Sequence, residues 1–164
     1  MDFLDFMLIP SVILCALVTG FIFTYAIVVM PGFSKLSDKE FIKAFQVTDK
    51  VIQNNQPLFM ITWIGSIISI LLTIIVATAT TGLSNSWLII LVGFIYLLGV
   101  QGVTIVIHLP LNNHIQKMDI DKMTDKNLGE ERRKFQKKWN FFNNIRTSVA
   151  FSVCVTLILI LTMR

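Results

Sequence analysis

The chain has 164 residues, of which 54% are hydrophobic and only 15% charged, with a mean hydropathy of +0.72 and a formal net charge of +4. A water-soluble domain carries about 25% charged residues, and its helices show a polar face that stretches such as "WIGSIISILLTIIVATA" lack, so an ordinary soluble bundle is excluded. The positive charge is confined to two connections, where membrane topology alone calls for it, and no nucleic-acid partner is expected.

Leu8–Met30 is the first of four stretches nearly free of charge. Its flank holds Asp2 and Asp5 and no Lys or Arg, the run is long, and no small-residue cleavage site follows. It therefore reads as a membrane span and not as a signal peptide. Pro31-Gly32 is expected to end it. Ser37-Asp-Lys-Glu40 then reads as a capping box that opens a helix from about Asp38 to Gln53. On that helix Phe41, Phe45, Thr48 and Ile52 form one stripe, and Gln46, Asp49 and Gln53 form a polar stripe beside it. Pro57 interrupts the helix, because the residue before a proline resists the α region.

Pro57–Thr80 is the second span, Thr81–Ser86 a short uncharged turn, and Trp87–Leu109 the third span. Within the third, Gln101, Thr104 and His108 fall at i, i+3 and i+7 on one face, and polar groups at membrane depth face the interior of a bundle. Pro110 is expected to stop this helix and leave its last carbonyls open. Asn112, Asn113 and Arg146 carry donors for them. The "HLPLNNHIQ" stretch (108–116) is thus either a well-satisfied helix end or the rim of a polar pocket roofed by the two long connections. From Glu130 one unbroken helix is expected to Met163, with Phe135, Trp139 and Phe142 on one face and Trp139, Asn143 and Arg146 at i, i+4 and i+7. Its last part, Thr147–Met163, is the fourth span.

Each stretch is near the roughly 17–25 apolar residues that cross hydrocarbon as a helix, and a helix satisfies its own backbone there. The expected fold is all-α: one transmembrane domain over residues 1–164, an antiparallel four-helix bundle with amphipathic cytoplasmic helical extensions. The connections 31–56 and 110–146 hold thirteen of the fourteen basic residues, and the 81–86 turn holds none. The positive-inside rule puts the basic connections in the cytoplasm and both termini outside. The Arg132–Lys138 cluster reads as a solvated face that fixes topology and touches anionic headgroups. Expected partners are the lipid bilayer of the plasma membrane and a small lipophilic molecule, with a homo-oligomer compatible. Cys15 and Cys154 read as buried thiols, near one another if spans one and four pack. A metal held by His108, His114 and Asp49 is the lesser reading, since no His pair at i, i+4 and no ligand motif is present, and no metal is expected. Asp49 and Arg146 alternatively form a structural ion pair.

Four elements occur in order: "VMPGF" (29–33), "FQVTDKVIQNNQPLF" (45–59), "PLNN" (110–113) and "WNFFNNIRT" (139–147). Together they resemble the anthrone-oxygenase-like family of small four-span integral membrane proteins, a domain of unknown function. The resemblance is most specific at P-L-N-N with the downstream W-x-x-x-N-x-x-R. It is least close at Phe45-Gln46, Asp49 and His108-Leu109. It implies an oxidoreductase, an anthrone-oxygenase-like monooxygenase that oxidises the activated methylene of a polycyclic phenol with dioxygen and no cofactor. Such chemistry needs a base, oxyanion donors and apolar walls. His108 or Asp49 suits the base; Arg146, Asn112 and Asn143 suit the oxyanion; Tyr25, Trp139 and Phe142 can stack on the rings. Gln46, Gln53, Gln101 and Asn113 complete the expected polar lining. The alternative is a non-enzymatic membrane protein (a binder, transport accessory or scaffold) whose polar cluster is structural and leaves no cavity.

Overall fold

The computed structural model describes residues 2–164. Five helices make up the fold: α1 (Phe3–Phe33), α2 (Asp38–Gln53), α3 (Pro57–Thr81), α4 (Leu83–Gln116) and α5 (Asp125–Thr162). All but α2 are long and apolar enough to cross a membrane. This is the architecture of an all-α, multi-pass membrane protein.

Local signals set most helix starts. Asp2 caps α1 and Ser37 caps α2, each in a reciprocal capping box, with Glu40 closing the second. Thr124 caps α5, which starts at Asp125, five residues before the expected start at Glu130. The helix then runs unbroken to Thr162.

Two prolines do not stop their helices as the sequence suggests. Proline lacks an N–H, and its ring clashes with the carbonyl four residues back. For Pro31 that residue is Ile27, and for Pro110 it is Val106. Ile27 lies inside a π turn (Tyr25–Val29), and Val106 lies inside another (Thr104–His108). The wider π turn moves the clashing carbonyl off the proline ring, so each helix continues. The open carbonyls expected before Pro110 therefore do not arise there; the helix end moves on to Gln116. A third π turn covers Leu97–Gly102.

Contacts pair early residues of α1 with late residues of its neighbours. The Ser11 hydroxyl meets that of Thr73 at 2.9 Å, and Phe21 packs on Phe59 and Trp63. Asn143 reaches Ile22, and Arg164 reaches Asp2 and Asp5. Tyr96 donates to Ser66 across α3 and α4 at 2.8 Å. Glycines allow the close approaches that small residues give membrane helices. At Gly93 a Cβ would sit 2.6 Å from Ile74 Cδ1, and at Gly99 2.9 Å from Val149 Cγ1.

The core has two parts. One, around Leu8, Cys15, Ile70, Tyr96 and Leu157, lies toward the α3–α4 turn and contains both free cysteines or borders them. The other joins Tyr25, Phe41, Phe45, Ile115, Leu128, Phe135 and Trp139 at the opposite end, where α2 packs on α5. Arg132 ties that end together rather than facing solvent with its neighbours. It donates to the carbonyls of Ser34 (2.7 Å) and Leu36 (2.8 Å) and to Asp38 (2.9 Å), and it lies over the Phe41 ring.

Candidate functional site

A cavity of about 340 Å³ lies between the two cores, walled by all five helices. Its back wall comes from α1 and α5 and its front from α3 and α4, while the end of α2 roofs it. The apolar wall is an aromatic cluster: Phe59 stacks on Trp63 with centroids 5.1 Å apart, and Phe21 meets both edge-on. Tyr25, Phe45 and Trp139 continue it. Four polar or charged lining residues, Tyr25, Gln101, Thr104 and His108, lie in the three π turns. The turns that let α1 and α4 pass their prolines thus also set the angles of these side chains.

Asp49 is buried at the roof with no cationic partner among the described residues. Three side-chain amides hold it instead. Asn112 donates to Oδ1 at 2.7 Å; Gln53 and Gln116 donate to Oδ2 at 2.6 and 3.1 Å. Trp139 Nε1 donates in turn to Asn112 Oδ1 at 3.1 Å, which fixes that amide's orientation. Burial raises the Asp49 pKa, with the three amides opposing. The folded carboxyl therefore holds its proton to a higher pH than the unfolded one. Folding takes up a proton in the window from about pH 4 up to the raised value, so stability should fall as pH rises through it. Thermal unfolding in detergent from acid to neutral pH should show that fall, and Asp49→Asn should flatten it. An unchanged slope in the variant would assign the effect to another group.

Arg146 is the unusual charge. It is 5% exposed, and no carboxylate pairs with it among the described residues, so the Asp49–Arg146 ion pair does not form. Its Nε donates to Asn143 Oδ1 at 3.0 Å, and one terminal nitrogen donates to Thr104 Oγ1 at 2.9 Å. The second terminal nitrogen has no hydrogen bond and is not sealed from the cavity. The Tyr25 hydroxyl is also without a partner and unsealed, and it lies within electrostatic reach of both Arg146 and Asp49. A buried guanidinium without a counter-ion is costly; here two donors face an aromatic chamber that contains no anion of its own beyond the amide-bound Asp49.

His108 is 2% exposed and packs edge-on against Trp139 at 5.1 Å. Neither ring nitrogen has a hydrogen bond in good geometry, although the Phe142 backbone lies beside the ring. Gln101 donates to the Tyr96 hydroxyl at 3.0 Å, while its Oε1 is buried and unpartnered.

Of the residues expected to form a site, Tyr25, Asp49, Gln53, Gln101, His108, Asn112, Trp139 and Arg146 line this one cavity. Four do not. Gln46 donates to the carbonyls of Ile115 (2.8 Å) and Met118 (3.0 Å), so it closes the end of α4. Asn113 is exposed and accepts from Gln53 at 3.3 Å. Asn143 donates to the Ile22 carbonyl beside the first π turn and reaches the cavity only through Arg146. Phe142 is turned to Phe141. Asn112 lines the cavity and ties elements together, since its Nδ2 donates to Asp49 and its Oδ1 accepts from Trp139, which leaves one of its two N–H donors unused. His114 lies outside, paired with Glu131 at 2.8 Å, so the two histidines and Asp49 do not converge. Sequence reading missed Phe21, Phe59, Met60 and Trp63. Phe21 with Tyr25 and Phe59 with Trp63 share the i, i+4 spacing that signals them.

The family model for anthrone oxygenase matches residues 54–156, more than half of the chain. The chain belongs to the anthrone oxygenase family. No curated protein and no solved structure matches it significantly. The anthrone oxygenase match takes in Gln101, His108, Asn112, Trp139 and Arg146, while Tyr25 and Asp49 lie before its start.

Proposed function

We propose that this chain is a membrane-embedded oxygenase that takes a planar lipophilic phenol into the cavity and oxidises its activated methylene with dioxygen. The single observation that carries this reading is Arg146: a buried cation with no counter-ion among the described residues, presenting a free donor beside Tyr25 to an aromatic chamber. Such a chamber suits a flat aromatic ring, and its charge suits an oxyanion that forms on that ring. An anthrone meets both requirements. Loss of one methylene proton turns its carbonyl into an aromatic enolate oxygen, which Arg146 and Tyr25 would bind.

His108 is the proposed base. Its ring nitrogens are buried and make no hydrogen bond in good geometry, whereas each Asp49 oxygen already accepts an amide hydrogen bond. The imidazole must turn out of its contact with Trp139 to reach substrate, since apo geometries often tighten only on binding. Its position is where the resemblance to the family is least close, so this role is proposed for this chain. The electron-rich carbanion gives up electrons to dioxygen and forms a C–O bond. The resulting hydroperoxide loses its remaining C–H proton, the O–O bond breaks, and hydroxide leaves with a proton as water. One CH₂ and one O₂ thus become one C=O and one H₂O, and dioxygen is the only oxidant. The positive-inside rule, applied to the basic connections, supports a site at the cytoplasmic side of the plasma membrane, with both termini outside.

The test is oxygen uptake by purified protein in detergent with anthrone as substrate. One O₂ should be consumed for each quinone formed, well above the rate of anthrone alone. Binding of anthrone without faster oxygen uptake would leave a lipophilic binder and refute the oxygenase.

A further inference from the structure

The cavity's lining residues differ in exposure in an ordered way. Those on α1 and α5 are buried or half-buried and close the back. The exposed ones are Ile105 and Leu109 on α4 and Gln53 and Asn55 at the roof. Ile105 is 59% and Leu109 44% exposed. Across from them, Met60, Trp63 and Ile67 on α3 are half-exposed. The mouth therefore opens sideways between α3 and α4, with apolar lips along both helices and a polar corner at Gln53 and Asn55. Large apolar side chains left exposed in this way suit contact with lipid.

From this geometry we infer that the site is loaded from the bilayer, through a lateral portal between α3 and α4 whose threshold is Ile105 and Leu109. The inference rests on the proposed function and specifies the source of its substrate. A flat phenol dissolved in the membrane lies near the interface, with its rings in hydrocarbon and its hydroxyl toward water. Moving between the helices, it keeps its rings among Met60, Ile105 and Leu109 and never has to cross water. Its oxygen passes the polar corner and meets Tyr25 and Arg146 at the back. The π turn at Thr104–His108 places Ile105 outward and His108 inward, so threshold and proposed base belong to one local distortion. The competing route is through the roof, past Gln53 and Asn55, from the aqueous phase.

The experiment follows anthrone binding to proteoliposomes by quenching of tryptophan fluorescence from Trp63 and Trp139, without oxygen, after mixing with anthrone-loaded vesicles. Ile105→Trp and Leu109→Trp narrow the portal, and Asn55→Trp narrows the roof. Val106→Trp serves as the control, because Val106 is 69% exposed on the same helix but does not line the cavity. Introduced indoles are corrected by their ligand-free emission. Lateral loading requires about a tenfold slower association in Ile105→Trp and Leu109→Trp, with the wild-type rate in Val106→Trp and a clearly smaller slowing in Asn55→Trp. Slowing confined to Asn55→Trp, or equal rates in all four variants, overturns it. The readout is binding, so an absence of oxidation would sink the oxygenase alone, and normal loading in the portal variants would sink the portal alone.

Discussion

Arg146→Gln should cut anthrone oxidation by about a hundred- to a thousandfold, the ~2.7–4 kcal/mol that follows loss of one preorganised oxyanion donor. The same variant should unfold at a temperature equal to or above that of the wild type. Arg146 is buried without a counter-ion among the described residues, and an unpaired buried charge costs several kcal/mol. Glutamine keeps an amide that can donate to Thr104 or Asn143 while removing that charge. Arg146→Lys should fall in between, because a compact ammonium keeps the charge but lacks the rigid planar fork whose separated nitrogens reach Asn143, Thr104 and a ligand oxygen. Assays of oxygen uptake and thermal unfolding on the same preparations separate the two effects. Loss of activity together with collapse of stability would make Arg146 a structural residue; full activity in Arg146→Gln would remove it from the site.

The second large effect belongs to His108→Gln. Removing a positioned base costs about 10²–10⁴ in rate, and the loss should appear in kcat while anthrone binding, read by tryptophan quenching, stays close to the wild type. A ring packed on Trp139, whose nitrogens make no hydrogen bond in good geometry, adds little beyond its packing and the neighbouring Phe142 backbone, so the variant should lose little stability. Rate recovery at alkaline pH is expected, because anthrone then ionises without help. If His108→Gln turned over at the wild-type rate, Arg146 alone would suffice to ionise the substrate. If instead binding were lost in proportion to rate, His108 would be part of the wall.

What the sequence made legible followed from contrast. Four charge-free stretches stand out against thirteen basic residues gathered in two connections, and four long apolar helices occupy those stretches. The Ser37–Glu40 box is a local reciprocal contact, so it needs no tertiary knowledge. Gln101, Thr104 and His108 share a face because polar residues are rare in such a span. Three things were hidden. The continuation of α1 and α4 through Pro31 and Pro110 depends on π turns, which arise where a helix is packed against its neighbours and leave no composition signal. The duties of Gln46, Asn112 and Asn143 depend on which carbonyl or carboxylate arrives from elsewhere: Ile115, Asp49 and Ile22 respectively. The aromatic wall of Phe21, Phe59 and Trp63 sits inside apolar spans, where an aromatic gives no contrast. The same distance dependence separated Asp49 from Arg146. Each is a plausible partner of the other by charge, yet the roof amides take one and the cavity keeps the other.

The most direct measurement is the ionisation of bound anthrone, followed by its absorbance without oxygen as pH is raised. A site whose essential feature is an unneutralised guanidinium and a phenol donor should bind the enolate in preference to the neutral ketone. The bound compound should therefore ionise at clearly lower pH than the same compound in empty detergent micelles, and Arg146→Gln should abolish the difference. Identical titrations in the presence and absence of wild-type protein, with binding demonstrated, would contradict the account.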